Sequence, residues 1–304
     1  MPLWDWRQNE KARRKPPGRF NLVIDLFQFL ADRTTFFKKP LWKFWYNLAA
    51  KIDGEGSDLK FMNFGYAASS NEGRTIKLDQ NDEKHRYCIQ LYHKTIENVQ
   101  VNDKHLLEMS CGRGGGASAI MRYMNPASLT GIDISSEAIT INKRHSTTPN
   151  LLFKEGSAER IQTDHDSIDV VLNIEASHCF PYIQNFFLEV KRILKPGGYF
   201  CYADFRKVQD IPSWKKQIHN SGLVLLKEED ITDNVVRALE FDSRRKIELI
   251  NRRAPKPLRG VFKKFSCVEN SPNFKSLKEK KWRYLRFLLQ KLASEEQALG
   301  LFEP

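Results

Sequence analysis

Short apolar segments alternate with amphipathic ones between residues 82 and 206, and this alternation restricts the possible folds more than any other feature of the chain. The apolar segments have the length of buried β-strands, and stretches with a helical period separate most of them. The predicted strands span residues 106–110, 129–135, 151–156, 168–176 and 199–205. Strands joined through helices form βαβ units, whose right-handed crossovers build a parallel sheet. The sequence therefore predicts an α/β fold with a doubly wound, mainly parallel sheet.

A glycine-rich turn, CGRGGG at residues 111–116, follows the first predicted strand and opens a helix. Glycines let the backbone approach a ligand closely and leave free N–H groups at a helix start. Doubly wound sheets bind ligands at the carboxyl ends of their strands, which is where this turn lies. No Lys-Ser or Lys-Thr pair follows the glycines, so the turn is not a P-loop. A tight turn without a ligand is the alternative interpretation.

Two acidic residues indicate which ligand such a turn would bind. Glu108 ends the strand before the turn, where a carboxylate would repel a phosphate and attract an ammonium group. Asp133 ends the next strand, 19 residues beyond Gly114, and is well placed to accept hydrogen bonds from a ribose diol. A ligand with both an ammonium group and a ribose points to S-adenosylmethionine.

The formal net charge of +12 suggests an anionic partner, either nucleic acid or an anionic membrane surface. Residues 1–60 carry 12 basic and 7 acidic side chains, residues 61–210 carry 17 and 18, and residues 211–304 carry 20 and 12. The excess therefore lies entirely in the flanks. This layout is natural for a neutral catalytic unit with basic attachments, and it disfavours nucleic acid as the partner.

The cysteines and the N-terminus indicate the compartment. Five scattered cysteines without a CxxC pair favour reduced thiols over disulfides, and we expect no metal site. The N-terminus lacks the apolar run of a secretory signal, and no apolar segment approaches the length that spans a bilayer. We therefore expect a cytoplasmic protein, with peripheral contact to a membrane as a further hypothesis.

The flanks divide the chain into two predicted units. Residues 1–60 form a basic tail with two short apolar helices at residues 20–32 and 40–52. The second helix mixes aromatic residues with lysines, which is typical either of a helix at an anionic membrane surface or of a lid over a binding cleft. Residues 61–304 form the catalytic domain, in which a helical insertion at about residues 207–280 walls the substrate pocket.

Taken together, five segments resemble the class I S-adenosylmethionine-dependent methyltransferases. These segments are LLEMSCGRGGG (106–116), GIDIS (131–135), GSAER (156–160), VLNIEASHCFP (171–181) and ILKPGGYFCYADFR (193–206). Within that class the chain is most similar to the phthiotriol/phenolphthiotriol dimycocerosate O-methyltransferases and to fatty-acid and glycolipid O-methyltransferases, over residues 42–206. The resemblance implies a Rossmann-like, seven-stranded, mainly parallel sheet. It also implies S-adenosylmethionine as the cofactor and S-adenosylhomocysteine as the product.

The resemblance also assigns contacts to the methionine and ribose portions of the cofactor. Glu108 would hold the methionine ammonium, beside the backbone of Gly112 and Gly114. Asp133 would hold both ribose hydroxyls, and Asn173 would lie under the methionine tail. In this sequence Ser110 stands at the first glycine position of the general loop pattern.

Further residues are assigned to the adenine and to a lid. Ile134 would pack on the adenine ring, and Ser157, Ala158 and Glu159 would line its edge. An acid often lies beside the adenine where this chain has Ser157, so the backbone N–H of Ala158 is the alternative donor. Tyr66, in the segment FMNFGYAASS, is predicted to lie in a lid near the transferred methyl group.

An alcohol acceptor needs a general base, and histidine is the usual choice near neutral pH. His178 follows the fourth predicted strand, close to where the methyl group would lie in this fold. Asp204 ends the fifth strand and could accept a hydrogen bond from the ring, which would raise its basicity. Glu175, in the same loop as His178, is a second candidate. The alternative is that His178 is an ordinary loop histidine.

The leading function is therefore O-methylation of a hydroxyl group on a lipophilic or polyketide-type small molecule. One alternative is N-methylation of a small amine, and another is an RNA-modifying methyltransferase that uses the basic flanks. The chain carries no appended RNA-binding motif and no (N/D)PP(Y/F) tetrapeptide, which argues against RNA. A fold that binds the cofactor without catalysis is a third alternative, and the sequence indicates no oligomeric state.

Overall fold

The computed structural model of the chain describes residues 60–69 and 76–293. The helices predicted at residues 20–32 and 40–52 lie outside these residues. The strands are β1 (His105–Met109), β2 (Ser128–Asp133), β3 (Leu151–Glu155), β4 (Ile168–Ile174), β5 (Leu194–Lys207), β6 (Val224–Asp230) and β7 (Trp282–Gln290). The helices are α1 (Arg86–Ile96), α2 (Gly115–Met124), α3 (Ser136–His145), α4 (Ile183–Ile193), α5 (Ile211–His219), α6 (Thr232–Arg253), α7 (Arg259–Phe265) and α8 (Pro272–Lys278).

The seven strands form one sheet in the order β3-β2-β1-β4-β5-β7-β6. Strands β1 to β5 are parallel to one another, and β7 lies antiparallel between β5 and β6. This arrangement confirms the predicted Rossmann-like α/β fold with a mainly parallel sheet. The direction of winding reverses between β1 and β4, which is the position where doubly wound sheets bind ligands.

The central strands β1 and β4 are mainly apolar because helices cover both faces of the sheet. Successive side chains of a strand point to opposite faces. Accordingly, the neighbours Leu106 and Leu107 of β1 belong to two different core clusters. One cluster includes residues of α1, α2, α6 and α8, and the other includes residues of α4 and α5.

Strand β5 begins at Leu194, five residues before the start predicted at residue 199. Residues 195–198 bulge out of the pairing with β4, since Ile168 pairs with Leu194 and Val170 pairs with Tyr199. Gly197 has a φ of 79°, in the left-handed region. Its backbone N–H donates to the carbonyl of Lys291 at 2.7 Å, and the N–H of Lys291 donates to the carbonyl of Gly198 at 2.9 Å. These hydrogen bonds join the bulge to a segment almost one hundred residues away, which no local pattern indicates.

The chain after β5 contributes both to the sheet and to one wall of the site. Helix α5 and the edge strand β6 come first, and α6, α7 and α8 follow before the chain returns to the sheet as β7. Helix α6 is 22 residues long and packs against α7 and α8. In the described part of the chain, no helix is both long enough and apolar enough to cross a membrane.

Candidate active site

The carboxyl ends of β1, β2, β4 and β5 surround a cavity of about 770 Å³. Helices α5, α6 and α7 and the segment formed by residues 60–64 provide its other walls. Nine of the residues predicted from the sequence to belong to the site line this cavity. They are Ser110, Gly112, Asp133, Ile134, Ser157, Ala158, Glu159, Glu175 and His178.

Every second residue from 110 to 114, across the glycine-rich turn, has a left-handed backbone conformation. Ser110, Gly112 and Gly114 have φ values of 63°, 52° and 69°. Gly114 directly precedes the first residue of α2, and a side chain there would be strained in this conformation. Gly116 has ordinary dihedral angles, but a Cβ atom at this position would overlap the ring of Tyr92. The turn therefore brings the backbone against α1 and leaves Gly112 at the cavity.

Asp133 connects the turn to the end of β2. Its Oδ2 accepts a hydrogen bond from the N–H of Gly112 at 2.8 Å, and its Oδ1 accepts one from the N–H of Ser135 at 2.8 Å. Burial raises the pKa of Asp133, and these N–H donors act in the opposite direction. Each carboxylate oxygen can accept a second hydrogen bond, so the side chain is held in place and keeps acceptor capacity toward the cavity.

Glu108 and Asn173 lie behind Met109 and Ser110 rather than on the cavity surface. Glu108 Oε1 accepts from the hydroxyl of Tyr92 at 2.7 Å, and Asn173 Nδ2 donates to the carbonyl of Met109 at 2.9 Å. Within the described residues, Glu108 Oε2 and Asn173 Oδ1 are buried acceptors without a donor. Burial raises the pKa of Glu108 to about 7. Unpaired buried acceptors are unfavourable, and they fit a ligand that brings donors and positive charge, as the ammonium of S-adenosylmethionine does.

His178 lines the cavity with its ring fixed by Asp204. The ring Nδ1 lies 2.9 Å from Asp204 Oδ1, and the backbone N–H of His178 donates to Asp204 Oδ2 at 3.0 Å. His178 belongs to the short 3₁₀ turn Ser177–Cys179 after β4, while Asp204 is completely buried in β5. Parallel pairing of β4 with β5 thus brings together the two residues that the sequence predicted to act as a pair.

The imidazolium form of His178 and the carboxylate form of Asp204 stabilise each other. Burial opposes the protonated form of His178, but Cys179 and Asp204 outweigh burial and raise its pKa to about 10. Burial likewise opposes the ionised form of Asp204, yet Arg206 and His178 hold the pKa of this carboxyl below its ordinary range. Without a ligand, the pair is therefore an imidazolium and a carboxylate at neutral pH.

Glu175 also lines the cavity and holds one of its walls. Its Oε1 accepts a hydrogen bond from the N–H of Phe64 at 2.7 Å, which fixes the segment 60–64 against the end of β4. Glu175 has a φ of 51°, in the left-handed region. Burial raises its pKa to about 8, so the side chain is protonated at neutral pH in this environment. Glu175 must therefore lose its proton before it can accept one from an acceptor, and it remains the second candidate for the base.

Two further predicted residues, Gly114 and Tyr66, lie outside the cavity lining. Tyr66 was expected in a lid near the methyl group, but its ring is buried and lies 5.7 Å from the ammonium of Lys94 on α1. Its backbone N–H donates to the carbonyl of Tyr87 at 2.9 Å. Three residues that precede Tyr66 in the same segment line the cavity instead, namely Phe61, Met62 and Phe64.

Sequence reasoning missed three residues that the structure brings to the site. Ser177 and Arg206 both contact Asp204, and Lys246 of α6 lines the cavity. Arg206 could have been noticed as a cation two residues after the acid that ends β5. Lys246 carries no local signal, because it stands in a basic run of α6 that resembles a solvated helix face. Within residues 60–69 and 76–293, no three His, Cys, Asp or Glu side chains are grouped to bind a metal ion.

Comparison with known proteins agrees with this geometry. A family described as a methyltransferase domain matches residues 107–202. The phthiotriol/phenolphthiotriol dimycocerosates methyltransferase of Mycobacterium leprae is 36% identical over 248 residues, which cover 82% of this chain and 90% of the relative. The enzyme of the same name from Mycobacterium tuberculosis is 38% identical over 79% of this chain and 88% of the relative. The fatty-acid O-methyltransferase of Mycolicibacterium smegmatis is 36% identical over 78% and 85%.

Solved structures share the fold at low sequence identity. The cyclase SpnF superposes with a TM-score of 0.61 at 16% identity, over 82% of this chain and 94% of that one. The geranyl diphosphate C-methyltransferase of Streptomyces coelicolor, solved with S-adenosylhomocysteine, superposes with a TM-score of 0.56 at 14% identity, over 81% and 98%.

The fold and the ligand-binding turn define an S-adenosylmethionine-dependent methyltransferase. Within that class, the chain belongs to the family of the phthiotriol/phenolphthiotriol dimycocerosates methyltransferases.

Proposed function

We propose that the protein methylates an oxygen atom of a lipid-like acceptor, with a hydroxyl group as the leading acceptor and His178 as the general base. The names of the relatives support the lipid-like class, since they include phthiotriol dimycocerosates and a fatty acid. The apolar wall of the cavity supports it too. This wall consists of Phe205, Leu249, Ile250, Phe262, Phe265 and Trp282.

The cofactor site follows from the turn and the ends of β1 and β2. S-adenosylmethionine supplies an electrophilic methyl group on a sulfonium ion. Asp133 would accept from the ribose hydroxyls, because its two oxygens are already oriented by backbone donors. Glu108 would attract the ammonium from behind Ser110, and a cation there lowers the pKa of its carboxyl group. The adenine would lie between Ile134 and the residues 157–159.

The observation that carries the proposed base is the contact of His178 with Asp204. Nδ1 faces the carboxylate at 2.9 Å, and we assign to Nε2, on the other side of the ring, the acceptance of the proton from an acceptor hydroxyl. The hydroxyl proton moves to Nε2 as the oxygen forms its bond to the methyl group. The resulting imidazolium is stabilised by Asp204.

The raised pKa of His178 has a consequence for this mechanism. A base must be neutral before it can accept a proton, and a pKa of about 10 keeps most of His178 protonated at neutral pH. A positive charge that binds beside the ring disfavours the imidazolium and lowers this pKa. Binding of the cationic cofactor in the same cavity therefore favours the reactive form of His178.

A second candidate acceptor is a carboxylate, and Lys246 is the observation that favours it. Its side chain is only 12% exposed and lines the cavity among Leu249, Ile250 and Phe262. Its ammonium lies 3.8 Å from Asp242, whose two oxygens each accept from Arg245 at 2.6 Å. Asp242 is thus largely neutralised by Arg245, and the charge of Lys246 remains to attract an anionic head group. A carboxylate is already a nucleophile at neutral pH and needs no base.

The two candidates differ in their requirement for His178. We would assay wild type and His178→Gln with a long-chain alcohol or diol and with a fatty acid of equal chain length. A hydroxyl acceptor predicts that His178→Gln lowers kcat on the alcohol by roughly 10²–10⁴. A carboxylate acceptor predicts turnover of the acid that His178→Gln leaves nearly intact and Lys246→Met reduces.

The controls separate catalysis from folding. Affinity for S-adenosylhomocysteine, measured by calorimetry, should be similar in wild type and His178→Gln. His93→Gln, on α1 outside the cavity lining, should leave turnover unchanged. Full turnover of the alcohol by His178→Gln would remove His178 from the mechanism.

We further propose that the basic flanks hold the enzyme against an anionic membrane surface in the cytoplasm. The net charge of +8 over residues 211–304, from 20 basic and 12 acidic side chains, supports this. Basic groups near such a surface each contribute on the order of 1 kcal/mol. Co-sedimentation with anionic and with neutral liposomes at rising salt tests it, since equal binding to both lipids contradicts an electrostatic contact.

A further inference from the structure

The two oxygens of Asp204 have different partners. Oδ1 faces the ring of His178 and also accepts from the N–H of Phe205 at 2.8 Å. Oδ2 accepts from the hydroxyl of Ser177 at 2.6 Å and lies 3.1 Å from Nη1 of Arg206. The backbone N–H of His178 is a third partner of Oδ2. The carboxylate charge is therefore shared between a catalytic side and a side that faces Ser177 and Arg206.

Arg206 is fixed in this position by its other contacts. Its side chain is 13% exposed, and its Nη2 donates to Ser177 Oγ at 2.8 Å. Its Nη1 donates to the carbonyl of Phe205 at 2.6 Å. The guanidinium carbon lies 4.4 Å from the ring centroid of Trp214, as in a cation–π contact. The planar group is held on both its edge and its face, so it cannot turn away from Asp204.

A chain of hydroxyl groups leads to the same carboxylate, and its direction is fixed. The indole Nε1 of Trp214, which can only donate, donates to the hydroxyl of Tyr202 at 2.9 Å. The Tyr202 hydroxyl is hydrogen-bonded to Ser177 Oγ. Because each hydroxyl has one proton, Tyr202 donates to Ser177 and Ser177 donates to Asp204. Every hydrogen of the chain thus points toward Oδ2.

We propose that Arg206 and Ser177 are positioning residues that set the proton affinity of His178 through Asp204. This inference deepens the proposed function and rests on His178 being the base. By drawing negative charge toward Oδ2, the two residues limit how strongly Oδ1 stabilises the imidazolium. They also keep Oδ1 in line with Nδ1, so that Nε2 faces the acceptor.

Other titratable groups surround the pair. Glu175 follows β4 and Cys179 lies in the same 3₁₀ turn as His178. Tyr202 is in β5, and Tyr284 comes from β7. Arg206 is a cation in direct contact with the carboxylate of Asp204, as His178 is when it is protonated. Removing its charge should therefore have a defined sign: the imidazolium becomes more stable, and the pKa of His178 rises.

The direct test is an NMR titration of the histidine rings in the full-length protein. His178→Gln assigns the resonance. Arg206→Met should raise the pKa of His178 by about one unit, because a nearby opposite charge shifts a pKa by one to three units and Arg206 acts through Asp204. Ser177→Ala should raise it by less, and Arg206→Lys should restore most of the wild-type value. An unchanged pKa in both Arg206→Met and Ser177→Ala would overturn the inference.

The matched control is Arg283→Met. Arg283 is the cross-strand partner of Arg206 in the register of β5 and β7, but its guanidinium pairs with Asp230 at 2.8 Å. Arg283→Met removes one positive charge, as Arg206→Met does, but at a side chain that pairs with Asp230. The pKa of His178 should therefore stay at the wild-type value. An equal shift in Arg283→Met would show that net charge rather than the Asp204 contact is responsible, which contradicts the inference.

The activity profile distinguishes failure of the inference from failure of the proposed function. With an alcohol acceptor, kcat/KM should rise with pH until His178 is neutral, and this rise should move to higher pH in Arg206→Met. For a shift of one pKa unit, kcat/KM of the variant should be about tenfold lower than that of wild type at pH values below the pKa of His178. If His178→Gln keeps full turnover, the proposed function is wrong whatever the titration shows. If His178→Gln is inactive while the rise of kcat/KM in Arg206→Met stays in place, only the inference is wrong. Should Arg206→Met fail to fold, Ser177→Ala carries both measurements.

Discussion

Glu175 accepts a hydrogen bond from the backbone N–H of Phe64, a residue 111 positions earlier in the chain, at 2.7 Å. Both residues line the cavity, so this one contact fixes the segment 60–64 as a wall over the acceptor site. The residues that follow this segment are held as well, since the N–H of Ala67 donates to the carbonyl of Asn234 at 3.2 Å. The wall thus depends on the side chain of a residue at the end of β4.

Glu175→Ala should loosen this wall, whereas Glu175→Gln should largely preserve it, because an amide oxygen still accepts from Phe64. We expect faster hydrogen exchange at the Phe64 amide and a higher KM for the acceptor in Glu175→Ala. Hydrogen-exchange mass spectrometry of the peptides that contain residues 60–69 checks the first effect. Equal exchange in both variants would show that the Glu175 contact does not hold the segment.

Asp133→Ala should weaken cofactor binding by at least about tenfold, since it removes acceptors that also orient the N–H groups of Gly112 and Ser135. Titration with S-adenosylhomocysteine in a calorimeter measures this. Asp169→Asn is the matched control, because Asp169 accepts from the N–H of His105 at 2.9 Å at the opposite ends of the strands. Wild-type affinity in Asp133→Ala would exclude the proposed ribose contact.

Gly116→Ala should destabilise the protein and reduce cofactor affinity together, because the added methyl group overlaps the Tyr92 ring. Overpacking of this kind costs about 1–3 kcal/mol. In Gly260→Ala the added methyl group meets open space in the first turn of α7, and replacing glycine there should stabilise by up to about 1 kcal/mol because the unfolded chain loses conformational freedom. Urea unfolding of the two variants should therefore give shifts of opposite sign.

His85 should make the protein less stable in mild acid. Burial first, and then the charge of Arg245, lowers its pKa from 6.5 to about 4. The unfolded chain therefore binds a proton that the folded protein excludes, and stability is lost as the pH falls from above 6.5 toward 4. Between pH 7 and pH 5, wild type should lose about 2 kcal/mol more than His85→Leu in the free energy of unfolding.

Urea titrations at the two pH values give this difference directly. Comparison with His85→Leu is needed because the raised pKa values of Glu108 and Glu175 act with the opposite sign, favouring the folded state at lower pH. The exposed His219 provides the control, as His219→Leu should keep the acid sensitivity of wild type. Equal acid sensitivity of wild type and His85→Leu would contradict a neutral buried His85.

The central part of the fold could be predicted from the sequence because its signals are local. Strands β1 to β4 and the glycine-rich turn are visible as apolar runs and as glycines at fixed spacing. The sequence placed the start of β5 at residue 199, whereas the strand begins at Leu194, because hydrogen bonds with Lys291 extend it across its bulge. The burial of Tyr66 could not be predicted either, since its partners Tyr87 and Lys94 are on α1.

The α/β class and the methyltransferase family could be predicted from local sequence patterns and motifs. The pairing of His178 with Asp204 could be predicted too, because residues at the ends of adjacent parallel strands become neighbours. No such pattern indicates that Arg206, Ser177 and Lys246 belong to the site, or that Glu108 and Asn173 lie behind the cavity surface. These placements depend on how side chains from β5, α5 and α6 pack around one buried carboxylate and one cavity. Such packing joins residues far apart in the chain, so no local pattern encodes it.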